Sequence, residues 1–270
     1  MGYDFKFGGT ALSEFYGVTT SRPYFEIAGY DGEFKKIPGR SGDEYIDNKR
    51  YENVVFTLKI GFIIRRMPDE PVDKLTEWLS YKHGYYEFED TDHPGMVTYA
   101  ALKNPQRIKN ELNCYLKTEL KFTRIPFWYQ KSALTNPVSL PDAAALEAGV
   151  RLFNPYPLDA APLIRVELKP EVYSTTGGFP FDIRFGSDTY RYRTNNLPLG
   201  DSSAEFRKYV YFDCDTGEVY TKRSDSDTTV QYADYDAPDL LKPGETLVGL
   251  ASGWNTAVVS MQITPRWRRL

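Results

Sequence analysis

The sequence predicts a mainly β protein of two domains, on three observations. Two long alternating stretches, Asn53–Arg66 and Leu112–Arg124, dominate the first half. A Pro- and Ala-rich interruption, "LTNPVSLPDAAALEAG", breaks the alternation in mid-chain. Beyond it come many short alternating runs separated by Gly, Asp, Ser and Pro clusters, the spacing of an antiparallel sandwich. A chain of 270 residues suits two ordinary domains better than one large core.

In the first alternating stretch Val54, Phe56, Leu58, Ile60, Phe62 and Ile64 share one parity, and Val55, Thr57, Lys59, Gly61 and Ile63 fall on the other. This predicts a strand with one buried face. In the second, Leu112, Cys114, Leu116, Leu120 and Phe122 oppose Asn113, Lys117, Glu119 and Lys121, and the two strands are expected to pair in one sheet. Between them "DEPVDKLTEWLSYKHG" predicts a helix, with Asp69 as cap, Pro71 in the first turn and Gly84 at the end. Its stripe of Val72, Leu75, Trp78 and Leu79 is expected to pack across a sheet. The expected domains are 1–135 and 151–270, with 136–150 as linker. In the second half "PLIRVEL", "FDIRF", "KYVYFD", "EVYTK", "TLVGL" and "TAVVSMQI" read as strands.

Composition narrows the function classes. A net charge of −4, from 33 basic and 37 acidic residues, gives no overall attraction to nucleic acid or anionic lipid. No apolar run approaches the ~18 residues needed to cross a bilayer. "MGYDFKFGGTALSEF" lacks the basic start and apolar core of a secretion signal, so cytosolic synthesis is expected. The two cysteines, Cys114 and Cys214, cannot form a disulfide scaffold and read as small buried hydrophobes.

No catalytic constellation emerges: phosphate-loop, Gly-x-Ser-x-Gly and His-Glu-x-x-His patterns are all absent. His83 and His93 read as exposed turn residues. "EFEDTDH" places Glu87 and Glu89 on one strand face but lacks the glycine and ligand order of a calcium loop. "RSDSDTT", Arg223–Thr229, reads as a solvated hairpin tip. The terminal "ITPRWRRL" sets Arg266, Arg268 and Arg269 around Trp267, read as a strand end or subunit contact rather than a phosphate-binding surface. Trp254, Tyr190 and Tyr192 are the candidate stacking faces for a sugar. No metal, cofactor or enzymatic activity is expected.

Taken in order, "YGVTTSRPYFE", "IPGRSG", "WLSYKHG" and "LKFTRIPFWYQ", then "NPYPLDAAPLIRVEL", "VYFDCDTGEVY", "LKPGETLVGL" and "SMQITPRWRR", resemble the distal tail (Dit) proteins of siphophages. The resemblance covers nearly the whole chain. It implies an N-terminal β-sandwich or split-barrel-like domain with one helix, and a C-terminal galectin-like antiparallel β-sandwich. It further implies a homo-hexameric ring at the virion tail tip, assembled in the bacterial host cytoplasm. Such a ring joins the major tail tube protein to the tail-associated hub protein, lets DNA pass through its channel, and scaffolds receptor-binding or side-fibre proteins. By the same resemblance the turn Pro38, Gly39, Arg40 and Gly42 lies near the subunit interface. Arg40 would pair there with a neighbour's carboxylate, and the long alternating strand that the turn enters would extend the inter-subunit sheet. The alternative expectation is a carbohydrate-binding module acting through the C-terminal sandwich.

Overall fold

The computed structural model describes residues 2–21, 27–63, 71–103, 108–111, 115–173, 178–200, 206–251 and 257–270. The chain is mainly β and divides into two compact units, Met1–Trp128 and Tyr129–Arg269. The expected cap Asp69, the cysteine Cys114 and the candidate Trp254 lie outside the described residues.

The first unit contains β1 (Phe5–Phe7), β2 (Thr10–Ala11), β3 (Gly17–Thr19), β4 (Tyr30–Lys35), β5 (Glu44–Tyr51) and β6 (Val54–Ile63). Helix α1 (Pro71–Ser80) follows, then β7 (Tyr86–Asp90), β8 (Met96–Leu102), β9 (Ile108–Glu111) and β10 (Tyr115–Arg124). Strand β11 (Trp128–Gln130) spans the boundary between the units. Strands β6 and β10 pair antiparallel from Val54↔Arg124 to Ile63↔Tyr115, as their matched alternation predicts. Leu58, Ile60 and Phe62 thereby join Leu116, Leu120 and Phe122 on one buried face.

The sheet order β2-β1-β7-β8-β10-β6-β3 places β2 and β3 at opposite ends. Only the 3₁₀ turn Leu12–Phe15 separates them in the chain, so the sheet curls until its two ends lie one turn apart. Leu12 is fully buried inside that curl. Phenylalanine rings fill it, with centroids 5.1 Å apart for Phe7–Phe122 and 5.4 Å for Phe5–Phe88. Helix α1 lies over β1: the Trp78 indole N–H donates to the Phe7 carbonyl at 3.2 Å. Just past the helix, the Lys82 ammonium donates to the Phe7 and Gly8 carbonyls at 2.8 and 2.9 Å. Gly84 takes a positive φ of 97°. Strands β4 and β5 pair only with each other, as a separate two-stranded ribbon.

The second unit continues with α2 (Lys131–Thr135), β12 (Val138–Leu140), α3 (Ala143–Ala148), β13 (Val150–Asn154), β14 (Leu163–Leu168) and α4 (Pro170–Tyr173). Then come β15 (Pro180–Phe185), β16 (Asp188–Arg193), β17 (Tyr209–Asp213), β18 (Glu218–Lys222) and β19 (Gln231–Asp236). The last strands are β20 (Gly244–Leu250), β21 (Val258–Thr264) and β22 (Arg268–Arg269). A six-stranded sheet, β12-β21-β14-β17-β18-β19, and a four-stranded sheet, β13-β20-β15-β16, enclose one core. Ile164, Phe212 and Met261 enter that core from the first sheet, and Phe181, Ile183 and Val248 from the second.

Residues 136–150, expected as a linker, fold as β12 and α3, and Leu140 and Leu146 are buried in this core. The Asp142 carboxylate caps α3 by accepting the Ala145 N–H at 2.9 Å. The unit boundary falls earlier, between Trp128 and Tyr129. Pro and Ala there mark short elements packed on a sandwich rather than a connector.

Two substitutions test these packings by denaturant unfolding. A Cβ on Gly17 would stand 2.4 Å from Leu12 Cδ1 and 2.6 Å from Phe62 Cε1. Gly17→Ala is expected to destabilise the first unit by about 1–3 kcal/mol through overpacking. In the second unit the buried Asn154 amide donates to the Leu158 and Leu241 carbonyls at 2.8 and 3.2 Å, and its oxygen accepts the Tyr156 N–H at 3.1 Å. Asn154→Ala orphans these groups and is expected to cost about 1–3 kcal/mol; an unchanged midpoint would refute this role.

Candidate functional site

The turn predicted to reach a subunit interface is the tip of the β4–β5 ribbon. Gly39 and Gly42 have φ of 80° and 93°, and no atom lies within 4 Å of a Cβ placed on either. Backbone conformation, not space, therefore calls for glycine at both positions. Pro38 and Arg40 are exposed, and the Arg40 N–H closes the turn on the Ile37 carbonyl at 3.2 Å.

The strand that this turn enters is β5, not the long alternating strand β6. Strand β6 runs between β10 and β3, so it is not free to extend a sheet between subunits along its paired length. The alternation is interrupted at Asp47–Lys49, where Lys49 adopts a φ of 54° and the register shifts. The Glu52 N–H then bonds the Gly29 carbonyl at 2.8 Å and closes the ribbon's root.

The ribbon is exposed along nearly its whole length, seven of the eight β5 residues included. Phe34, 72% exposed, pairs with Tyr45, 45% exposed, at a centroid distance of 5.0 Å. The Tyr45 ring lies across Gly32, where a Cβ would stand 2.1 Å from its hydroxyl oxygen. One ribbon face is therefore aromatic, while Glu33, Lys35 and Glu44 occupy the other together with the exposed Ile46. At the root Tyr51 packs against Tyr30 and Phe127, at 4.9 and 5.8 Å. Asp31 accepts the Asn48 amide at 2.9 Å and pairs with Arg50, and both lower its pKa.

The acidic stretches are occupied from within the chain. Asp90 accepts the backbone N–H groups of Asp92 and His93 at 3.1 and 2.7 Å, the Tyr3 hydroxyl at 3.2 Å, and lies 2.8 Å from His93 Nδ1. Burial, then the Asp90 charge, pushes the Tyr3 phenol well above its ordinary range. The His93 ring stacks on Trp128 at 4.0 Å and 15°, so this histidine is half-buried rather than exposed, whereas His83 is exposed. Among the described residues, no group of three or more His, Cys, Asp or Glu side chains is placed to hold a metal.

The Arg223–Thr229 stretch is largely exposed, as expected, yet two of its acids are held in place. Asp225 accepts the Tyr211 hydroxyl at 2.5 Å and pairs with Arg165. Asp227 pairs with the buried Arg207 at 2.7 Å and with Arg223 at 3.3 Å, and accepts the Thr229 N–H at 2.9 Å. Two of the three C-terminal arginines are likewise committed. Arg266 grips Asp213 with two bonds of 2.6 and 3.2 Å, while Arg268 donates to the Asp159 carbonyl at 2.7 Å and to Asp215 at 3.0 Å. Trp267 is buried between them in the chain.

Of the sugar-contact candidates, Trp254 lies outside the described residues, while Tyr190 and Tyr192 are both placed on β16. Tyr192 is 2% exposed, enclosed by Phe212 at 4.6 Å and Tyr235 at 5.3 Å, and its hydroxyl donates to the Asp236 carbonyl at 3.1 Å. Its ring has no free face, because this parity of β16 points into the sandwich. The Tyr190 hydroxyl accepts the Asp239 N–H at 3.3 Å. The Tyr235 hydroxyl accepts the Arg193 N–H of edge strand β16 at 3.1 Å. These tyrosines close the side of the sandwich where β16 and β19 meet. The "DTYRYR" alternation could have revealed this, since apolar bodies with hydroxyl tips suit a sandwich seam.

Acid titration tests the pinned stretch. The Thr229 N–H first, with Arg223, holds the Asp227 pKa at about 2, against an ordinary 3.8, and the bond from Arg165 lowers that of Asp225. Carboxylates with depressed folded pKa values stabilise above their ordinary value, and that stability disappears as pH falls toward about 2. Asp227→Asn is therefore expected to be less stable than the parent at neutral pH and to show a flatter stability profile between pH 4 and 2. Parallel profiles would refute the assignment.

No protein-family model matches this chain, and no curated protein does. Among solved structures the chain resembles the crystal structure of the SPP1 Dit (gp 19.1) protein, described as a paradigm of the hub adsorption apparatus in Gram-positive-infecting phages. The superposition has a TM-score of 0.60 at 12% identity and covers 100% of both chains. At that identity, what the two share is the fold, running through both β units in the same order from one end to the other.

Proposed function

We propose that this chain is a structural component of a phage tail tip, a distal tail protein without catalytic activity. The observation that carries the reading is the end-to-end likeness to the SPP1 Dit fold. A likeness spanning two dissimilar β units is harder to reach by chance than a match to one common sandwich. In this reading six copies form a ring at the virion tail tip, with DNA passing through its channel. The ring docks on the major tail tube protein on one side and on the tail-associated hub protein on the other. The C-terminal sandwich holds receptor-binding or side-fibre parts, and assembly takes place in the host cytoplasm.

The β4–β5 ribbon supports self-assembly. An isolated two-stranded ribbon is marginal in water, and this one keeps Phe34 and Tyr45 exposed on one face. A neighbouring copy covers that face in our reading, and Arg40 at the tip pairs with a carboxylate of the neighbour. Subunit contact thus moves from the long strand β6 to the ribbon. Glycan binding through the C-terminal unit would need a platform other than Tyr192, whose ring is enclosed.

Light scattering over a range of protein and salt concentrations tests the ring. The expected mass is near six times the 31.0 kDa of one chain, or rises toward it with concentration. The double variant Phe34→Asp, Tyr45→Asp is expected to remain folded by circular dichroism and to lose the oligomer. A folded double variant that retains its mass would exclude the ribbon from the interface. Arg40→Glu is expected to weaken association at least tenfold at low salt, an effect that narrows as salt screens the pair; an unchanged association constant at all salt concentrations would remove Arg40 from the contact.

A further inference from the structure

We draw no further inference here: the strongest candidate, the row of Tyr211, Tyr220 and Tyr232 that runs with Lys222 across the outward face of the six-stranded sheet, carries nothing, because nothing in the structure shows what covers it.

Discussion

The ladder between β6 and β10 is the interaction on which the first unit depends. Its register, unbroken from Val54↔Arg124 to Ile63↔Tyr115, fixes which face of each strand is buried. A slip of one residue would send Leu58, Ile60 and Phe62 to the opposite face and bring charged Lys59 inward. Strands β3, β8 and β9 attach to this pair, and the curl that brings β2 and β3 together closes over its buried face. Phe122 stands at the centre, within ring contact of Phe5, Phe7, Phe56 and Phe88. Because β4 and β5 are inserted between β3 and β6, the ribbon is a long excursion out of a closed core. Its conformation can therefore serve assembly without disturbing that core.

The second unit depends on polar closure as much as on its apolar core. Asn154 organises the chain after β13 with three hydrogen bonds from one buried side chain. Tyrosine hydroxyls tie β16 to β19 and the chain beyond it, and satisfy an edge-strand N–H that would otherwise invite another strand. Ion pairs between Arg165 and Asp225, Arg207 and Asp227, and Arg266 and Asp213 fasten the turns to the sheets. In "RSDSDTT" and "ITPRWRRL", the charges of Arg223, Asp225, Asp227, Arg266 and Arg268 that look available in the sequence are partnered inside this unit.

What was legible in the sequence follows from the range of the forces involved. Period-two alternation reports burial of one face, so β6, β10, β14 and β15 could be read directly, and helix α1 falls within the stretch read as helical, with Trp78 and Leu79 of its stripe buried. Strand β19, "QYADYD", was not legible, because only Ala233 and Tyr235 face the core and acids occupy the other parity. Strand β12 and helix α3 were hidden by their prolines and alanines, since shortness and small side chains weaken any periodic signal. For the candidate site, glycine chemistry revealed the tip turn but not the separate sheet that carries it. Whether β5 pairs with β4 or continues toward β10 is a long-range choice, settled by the break at Lys49 and the root contact of Tyr51 with Phe127. The enclosure of Tyr192 was equally remote in the chain, since Phe212 and Tyr235 are supplied by other strands.

The charges of the second unit and those of the ribbon are arranged in opposite ways. Arg165, Arg207, Arg266 and Arg268, buried or half-buried in the second unit, are each met by a carboxylate or carbonyl of the same chain. Such pairs fasten turns but contribute no recognition, because their charge is already neutralised. The ribbon reverses this pattern. Lys35 and Glu44 face each other on one side of it, Phe34 and Tyr45 are exposed on the other, and Arg40 extends from its tip. A surface with one aromatic face and one charged face favours a single orientation of its partner: burial of the rings supplies attraction, and the charges penalise a flipped approach. In the proposed ring, whose copies would all meet in the same sense, that orientational bias would matter more than the area buried.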